Sequence, residues 1–532
     1  MDTAARLPHS EALRCDGQGI SYAQLALQIE LVSAALLGLG IQRCERVAVY
    51  LEKRIETVLA LFGASMAGAA FVPVNPLLKT EQVAYQLRDC QVRILVTSAQ
   101  RFQTLLPGLL QCPDMHTVII VGESTGDAVA AQFQTVGWDV LAEMKSERVA
   151  HRCIDLDLAA ILYTSGSTGK PKGVMLSHRN LVSGAHSVSQ YLHNSAQDRV
   201  LCVLPLSFDY GLSQLTTMFL TGGTAVLLNY LMPVDILDAV RQERITGLAA
   251  IPPLWGQLTQ LDWAGVTSLR YLTNSGGAMP GPVLARLRSA APDTLIYLMY
   301  GLTEAFRSTF LDPQLVDVRP GSIGKAIPNN EVLVLRPDGS VCAPNEPGEL
   351  VHRGALVALG YWNQPELTAR RFRPVPVQSG ATVLHEMAVW SGDTVRRDND
   401  GYLYYVGRSD EQIKVSGFRI SPTEVEEVLC RFEGITELAV IGVAHAVLGQ
   451  ALIAVVVQND KFELTETALR RHCARFLPSY MVPAHFEIDV TALPRNANGK
   501  INRQALQSRF ATFFQTQSTD VRMNGQPESR RP

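Results

Sequence analysis

Between two apolar runs the sequence holds SGSTGKPKG, Ser165 to Gly173. Backbone N–H groups of a glycine-rich turn can converge on anionic oxygens, because glycine permits the positive φ values this needs. Ser165, Ser167 and Thr168 add hydroxyl donors, and Lys170 and Lys172 add positive charge. These parts suit a polyphosphate. The spacing is not that of a Walker-type loop: two residues separate Gly166 from Gly169, and Lys170 is followed by Pro171 rather than Ser or Thr. Pro171 opposes direct continuation into a helix, so the loop should join two strands, AAILYT and GVMLSH. On composition alone, a flexible hairpin loop would use the same residues.

The elements that must position such a loop are legible as patterns. RVAVYL and VRILVTS read as short buried strands, with the helix IETVLALFGASMAG between them ending at Gly68. That rhythm predicts an α/β fold with largely parallel sheets. From about Gly321 the texture changes to β segments separated by Pro-Asp-Gly and Pro-Gly turns, which predicts antiparallel strands and a small barrel-like subdomain. Near Asp410 another unit begins. SPTEVEEVLCRF predicts a helix with Ser421 as N-cap, Pro422 at the first position and Glu424 completing a capping box. The strands LAVIGVA and ALIAVVVQ and the helix ETALRRHCARFL complete a C-terminal α/β domain.

At 532 residues the chain exceeds one core, and 47% hydrophobic with 18% charged residues describes a globular protein. A net charge of −3 supplies no basic footprint for nucleic acid. The nine cysteines are scattered without a C-x-x-C pair, which opposes a disulfide framework and a structural zinc site and favours a reducing compartment. The N-terminus lacks a signal-peptide h-region, and the longest apolar run, Val58 to Val74, is broken by Gly63 and Gly68. The expectation is a cytoplasmic protein that does not span a membrane.

YTSGSTGKPKGVMLSH resembles the phosphate-loop signature of the adenylate-forming superfamily, which includes acyl-CoA synthetases, the adenylation domains of nonribosomal peptide synthetases, and firefly luciferase. ISYAQL, MAGAAFVPVNP, MYGLTE, GELVHRG, LGYWNQPELTARRF, WSGDTV, GRSDEQIKVSGFRISPTEVEEVL and LPRNANGK match further motifs in the same order, from about Ser21 to Leu506. TNSGGAMP, YGLTEAFRST and RPGSIGKAIPN are most similar to AMP-forming acyl-CoA ligases associated with exosortase A systems. The resemblance implies a large N-terminal AMP-binding domain of stacked α/β sheets over residues 1–409 and a smaller mobile C-terminal domain over 410–510. Asp410 would be the hinge, and 511–532 a disordered tail.

It also implies residue roles. Thr164 to Lys170, with Lys172, would hold ATP phosphates, and Gly276 and Gly277 would border the nucleotide. Tyr300 would stack on adenine, Thr303 contact a phosphate and Glu304 help hold Mg²⁺. Asp393 and Arg408 would bind ribose. Lys500 would bridge carboxylate and α-phosphate during adenylation, and Gly417 would line a thiol tunnel once the small domain rotates. Standing alone, Glu304, Asp393 and Lys500 read as solvated turn or helix-start residues.

Asp209, in PLSFDYGLSQL, either caps a helix or holds a substrate ammonium group. Arg307 follows Glu304 by three positions along the implied acyl pocket. Asp209 and Arg307 either pair with each other, walling an apolar pocket, or both face the ligand. The chemistry implied is activation of a carboxylic acid as its adenylate, with pyrophosphate leaving, then transfer to coenzyme A with release of AMP. Amino-acid activation and loading onto the phosphopantetheine of a separate carrier protein is the alternative. A non-catalytic nucleotide-binding regulator would not need Lys170, Glu304, Asp393 and Lys500 together.

Overall fold

The computed structural model describes residues 1–122, 132–141, 143–144, 151–164, 170–379, 382–408, 412–458, 462–489, 492–494 and 501–514. One eight-stranded sheet runs in the order Gly360–Tyr361, Lys172–Ser177, Leu158–Thr164, Ala70–Pro73, Arg46–Tyr50, Val92–Ser98, Thr117–Val121, Gln134–Gly137. Its strands are parallel except at the Lys172–Ser177 end. Leu158–Thr164 and Lys172–Ser177 are antiparallel neighbours, with Thr164 opposite Lys172. The phosphate-loop sequence therefore bridges two strands, as Pro171 demands. The expected strands at Arg46–Tyr50 and Val92–Ser98 and the helix Ile55–Met66 are present.

The fourteen-stranded sheet has a parallel centre containing Arg199–Cys202, Gly247–Ala250, Tyr271–Asn274 and Leu295–Tyr300. Beyond Leu295–Tyr300 it continues through antiparallel Thr309–Leu311, Ser322–Ala326, Leu403–Arg408, Thr382–Arg397, Pro347–Gly354 and Asn330–Leu335. The turn-rich region after Gly321 thus extends a sheet whose centre is parallel. A single apolar cluster joins residues of both large sheets and the helices between them, including Phe71, Leu162, Leu201, Trp255 and Phe306.

The five-stranded sheet is buried on both faces. Along Gly449–Gln458, Leu452, Ala454 and Val456 belong to one apolar cluster, and Ile453, Val455 and Val457 to another. That alternation is the period of two of an extended strand, and it explains why ALIAVVVQ carries no polar face. No helix among the described residues is long and apolar enough to cross a membrane.

One local expectation is corrected. Helix Pro422–Leu429 starts after Ser421 with Pro422 at its first position, but Ser421 makes no side-chain cap and its Oγ is buried without a hydrogen bond. Glu424 does not reach back to complete a capping box. It accepts a hydrogen bond from the Gln82 side-chain amide at 3.1 Å, from helix Thr80–Asp89 of the large unit. A tertiary partner has displaced the local one.

Burial pushes the Glu424 carboxyl up to about 7, with Glu427 adding to the rise and the Gln82 hydrogen bond opposing it. A carboxyl raised on folding favours the docked form below its ordinary range and ceases to as pH rises through the raised value. Docking of this helix is therefore expected to weaken from pH 5 to pH 8, by at most about 3 kcal/mol. Hydrogen exchange over 422–429 should show the loss in wild type, and Glu424→Gln should flatten it. An equal pH response in both proteins would overturn the assignment.

Candidate functional site

A cavity of about 130 Å³ lies where the three sheets approach one another. Asp209, Thr303 and Arg307 line it from the fourteen-stranded side, Thr164 from the eight-stranded side, and Lys414, Gly417 and Arg419 from the small unit. Thr164 Oγ1 is buried there without a hydrogen bond.

Glu304 occupies the 3₁₀ turn Thr303–Ala305 that follows strand Leu295–Tyr300, and is only 3% exposed. Lys172 Nζ donates to its Oε1 at 2.8 Å and to the Tyr361 hydroxyl at 2.8 Å, and that hydroxyl donates to Glu304 Oε1 at 2.7 Å. Arg419 Nη1 stands 3.5 Å from Oε2, which accepts no hydrogen bond. Burial alone would raise the Glu304 carboxyl. Lys172 and Arg419, followed by the hydrogen bonds from Lys172 and Tyr361, hold it well below the usual carboxylate range. Burial drives the Lys172 ammonium down and Glu304 opposes this. With two cations on one carboxylate, we assign Glu304 as ionised and Lys172 as its charged partner. Oε2, an anionic oxygen with no hydrogen bond, is a fitting ligand for a hard cation.

Tyr300, at the end of its strand, donates its hydroxyl to the Asp393 carboxylate. Asp393 is fully buried and lies directly opposite Arg408 in the ladder between Thr382–Arg397 and Leu403–Arg408. The Tyr300 ring is nearly parallel to His352, with an interplanar angle of 11° and centroids 6.3 Å apart. Burial pushes His352 down to about 4, so its ring is neutral at physiological pH. Both its ring nitrogens are buried without hydrogen bonds. Lys414 Nζ lies 5.8 Å from the Tyr300 ring centroid.

Gly276 and Gly417 meet across the two units. Each has a positive φ, +81° and +82°, and a Cβ on Gly276 would lie 3.4 Å from Gly417 Cα. A Cβ on Gly417 would lie 3.0 Å from Ile251 Cγ2. The turn before Phe418–Ile420 needs glycine for its backbone as well as for this approach. Behind the contact a cleft of about 1200 Å³ opens, bordered by Gly276, Gly277, Lys414 and Gly417.

Thr303, Glu304, Lys172, Tyr300, Asp393, Gly276, Gly277 and Gly417 are therefore brought around one region, while Lys170 is exposed. Ser165, Gly166, Ser167, Thr168, Gly169, Asp410 and Lys500 lie outside the described residues, and of Arg408 only the backbone is described. Tyr361, Arg419, His352 and Lys414 were not singled out from sequence. All four sit inside quoted motifs, yet nothing in their spacing announces a contact with Glu304 or Tyr300.

Asp209 is the first residue of helix Asp209–Thr221, and Phe208 occupies the N-cap, so Asp209 is not the cap. Asp209 and Arg307 are both 5% exposed. Among the described residues they form no ion pair within 4.0 Å, which removes the arrangement in which they satisfy each other. Arg307 Nη2 donates to the Tyr210 carbonyl at 3.4 Å, its guanidinium carbon lies 4.6 Å from the Tyr210 ring centroid, and its Nε is buried without a hydrogen bond. Burial pushes the Asp209 carboxyl up, against the pull of Arg307. The turn that delivers Arg307 passes through Phe306 at φ +52°. The Phe306 ring is fully buried against Gly184, where a Cβ would stand 2.5 Å from Cδ1.

The AMP-binding enzyme family matches residues 1–362, and its C-terminal domain matches residues 424–500. Tyrocidine synthase 3 of Brevibacillus parabrevis is 32% identical over 94% of the chain. The chain spans 7% of that synthase's length, and under half the length of the other curated relatives compared. A double-mutant o-succinylbenzoate CoA synthetase from Bacillus subtilis, bound to its product analogue OSB-NCoA, is 27% identical with a TM-score of 0.81, covering 96% of this chain and 98% of that one. The same synthetase in complex with ATP and magnesium gives 0.67 at 27% identity, covering 95% and 98%.

Removing one member of the buried cluster should be costly. Lys172→Met leaves Glu304 without its nearest cation and is expected to destabilise by about 3–5 kcal/mol. Lys172→Met with Glu304→Leu should recover part of that loss in equilibrium urea unfolding. Additive losses would show that the pair is not a coupled unit.

Proposed function

This chain belongs to the AMP-binding enzyme family of adenylate-forming proteins, and from that premise we propose that it activates a carboxylic acid with ATP and passes the acyl group to the thiol of coenzyme A. The observation that carries the proposal is the convergence of Thr164, Thr303 and Gly417 on one cavity, two from the large unit and one from the small. Tyr300 and Asp393 would seat adenine and ribose, and Ser165 to Lys170 would cradle the phosphates. Glu304 would hold Mg²⁺, which when bound neutralises charge on the phosphate oxygens. Lys500 would orient the substrate carboxylate toward the α-phosphate. This step needs positioned cations more than a protein nucleophile.

The contact between Gly417 and Gly276 supports a second arrangement of the same site. The higher TM-score to the synthetase bound to its coenzyme A product analogue, against 0.67 for its ATP complex, supports reading the present arrangement as the thiol-transfer one. Here Arg419 faces Glu304 Oε2. Rotation of the small unit would withdraw Arg419, expose Oε2 to the cation and bring Lys500 to the site. Asp410 would be the hinge, with the units divided as 1–409 and 410–510. The cleft beside Gly417 would admit the thiol, and a reducing cytoplasmic setting suits that acceptor.

Likeness to tyrocidine synthase 3 supports the alternative, an amino acid loaded onto a separate carrier protein, with Asp209 facing its ammonium group. An ATP–pyrophosphate exchange screen over free acids and amino acids separates the two. With a competent acid, AMP and pyrophosphate are expected, and stoichiometric ADP would refute the reading.

The two half-reactions should respond to different residues. Lys500→Ala should slow adenylation by on the order of 3 kcal/mol while sparing thiol attack on a supplied acyl-adenylate. Gly417→Leu should do the reverse. Equal loss of both steps in both variants would count against rotation.

A further inference from the structure

The inner wall of the cavity carries more charge than a plain acyl chain could tolerate. Asp209 and Arg307 both line it, both are buried, and they form no ion pair with each other among the described residues. Arg307 has one long hydrogen bond, to the Tyr210 carbonyl, and its Nε has none. An alkyl tail laid against this wall would strip water from the Arg307 charge and the Asp209 carboxyl and offer neither a hydrogen bond, a heavy penalty for buried polar groups. A second carboxylate would satisfy Arg307 but offer Asp209 no donor. A lone ammonium would satisfy Asp209 but crowd Arg307.

Depth is limited as well as polarity. Tyr210 and Arg307 also line a rear cavity of about 30 Å³. The Tyr210 hydroxyl is tied to Thr273 Oγ1 at 2.6 Å, which holds the partition in place. The rear space has room for about two water molecules, not for a chain. It is lined by Gln214 and Thr217, whose Oε1 and Oγ1 are buried without hydrogen bonds. These polar atoms suit water behind Arg307 and leave its front to the ligand.

The geometry points to a substrate whose tail is short, uncharged and polar, with an acceptor oxygen for Arg307 and an N–H or O–H donor for Asp209, as in an ω-amide or hydroxy acid. This inference rests on the cavity being the acyl site of the proposed ligase. Arg307 and Asp209 are then the residues that set specificity, and Tyr210 sets length.

The test uses matched probes in ATP–pyrophosphate exchange with the full chain. These are the ω-amides succinamate and glutaramate, the dicarboxylates succinate and glutarate, and the branched apolar acids isosteric with the two amides. Wild type should favour an amide over its apolar isostere by roughly 10- to 100-fold, the size of a hydrogen bond to a charged group. Arg307→Met should bring the amide and its isostere within about threefold of each other. Arg307→Gln, which keeps a neutral donor, should fall between, and it carries the test if the methionine variant does not fold. A preference for the apolar isosteres or the dicarboxylates would overturn the inference, as would exchange with none of the probes. Binding of ATP with Mg²⁺, read as a rise in Tm, is measured alongside. No rise would instead count against the ligase reading itself.

Discussion

A carboxylate buried as deeply as Glu304 must be surrounded by positive charge, and here that charge comes from separate parts of the chain. Lys172 arrives on a hairpin strand of the eight-stranded sheet, Arg419 on a hairpin of the small sheet, and Tyr361 on a short edge strand. Glu304 itself follows a strand of the fourteen-stranded sheet. One ion cluster thus ties all three sheets together at a single point. Each of its distances depends on the packing of the sheets behind it, so the position of the small unit is read out directly at the carboxylate. Buried ion clusters of this kind are weak sources of net stability and strong constraints on geometry.

The neighbouring contact works by the opposite means. Gly276 and Gly417 hold the units together by having no side chains at all. Glu424 and Gln82 add a polar contact further along the same boundary. Arg431 and Glu81 meet 3.0 Å apart in solvent, where such a pair contributes little. The boundary therefore relies on a close backbone approach and buried polar groups, not on a broad apolar seam.

The alternating strands and helices, and the strand-to-strand setting of the phosphate-loop sequence, were legible because they depend on local periodicity and on proline. Glu304, Tyr300, Asp393 and Gly417 were marked because they sit in short stretches that match the family's motifs. What sequence did not reveal was which distant groups those residues meet. Ser421 and Glu424 have the spacing of a capping box, yet Gln82, more than three hundred residues earlier, takes the glutamate. Asp209 and Arg307 look like natural partners by charge, yet the helix start and the turn at Phe306 hold them apart. His352 shows nothing in sequence of its place beside Tyr300, which a long ladder register fixes. Local grammar predicts elements; the tertiary pairings between them had to be seen.

The turn at Phe306 also bears on how such a pocket could diversify. Its left-handed backbone is held by a ring seated where Gly184, on helix His178–Leu192, has no side chain. The scaffold that aims position 307 is thus fixed by two residues that do not line the cavity. Side chains at 209 and 307 can be exchanged by single codon changes without disturbing that scaffold, whereas a change at 184 or 306 would re-aim the whole wall. Diversification or engineering of substrate choice in this lineage would therefore proceed by swapping the fingers and leaving the knuckle untouched.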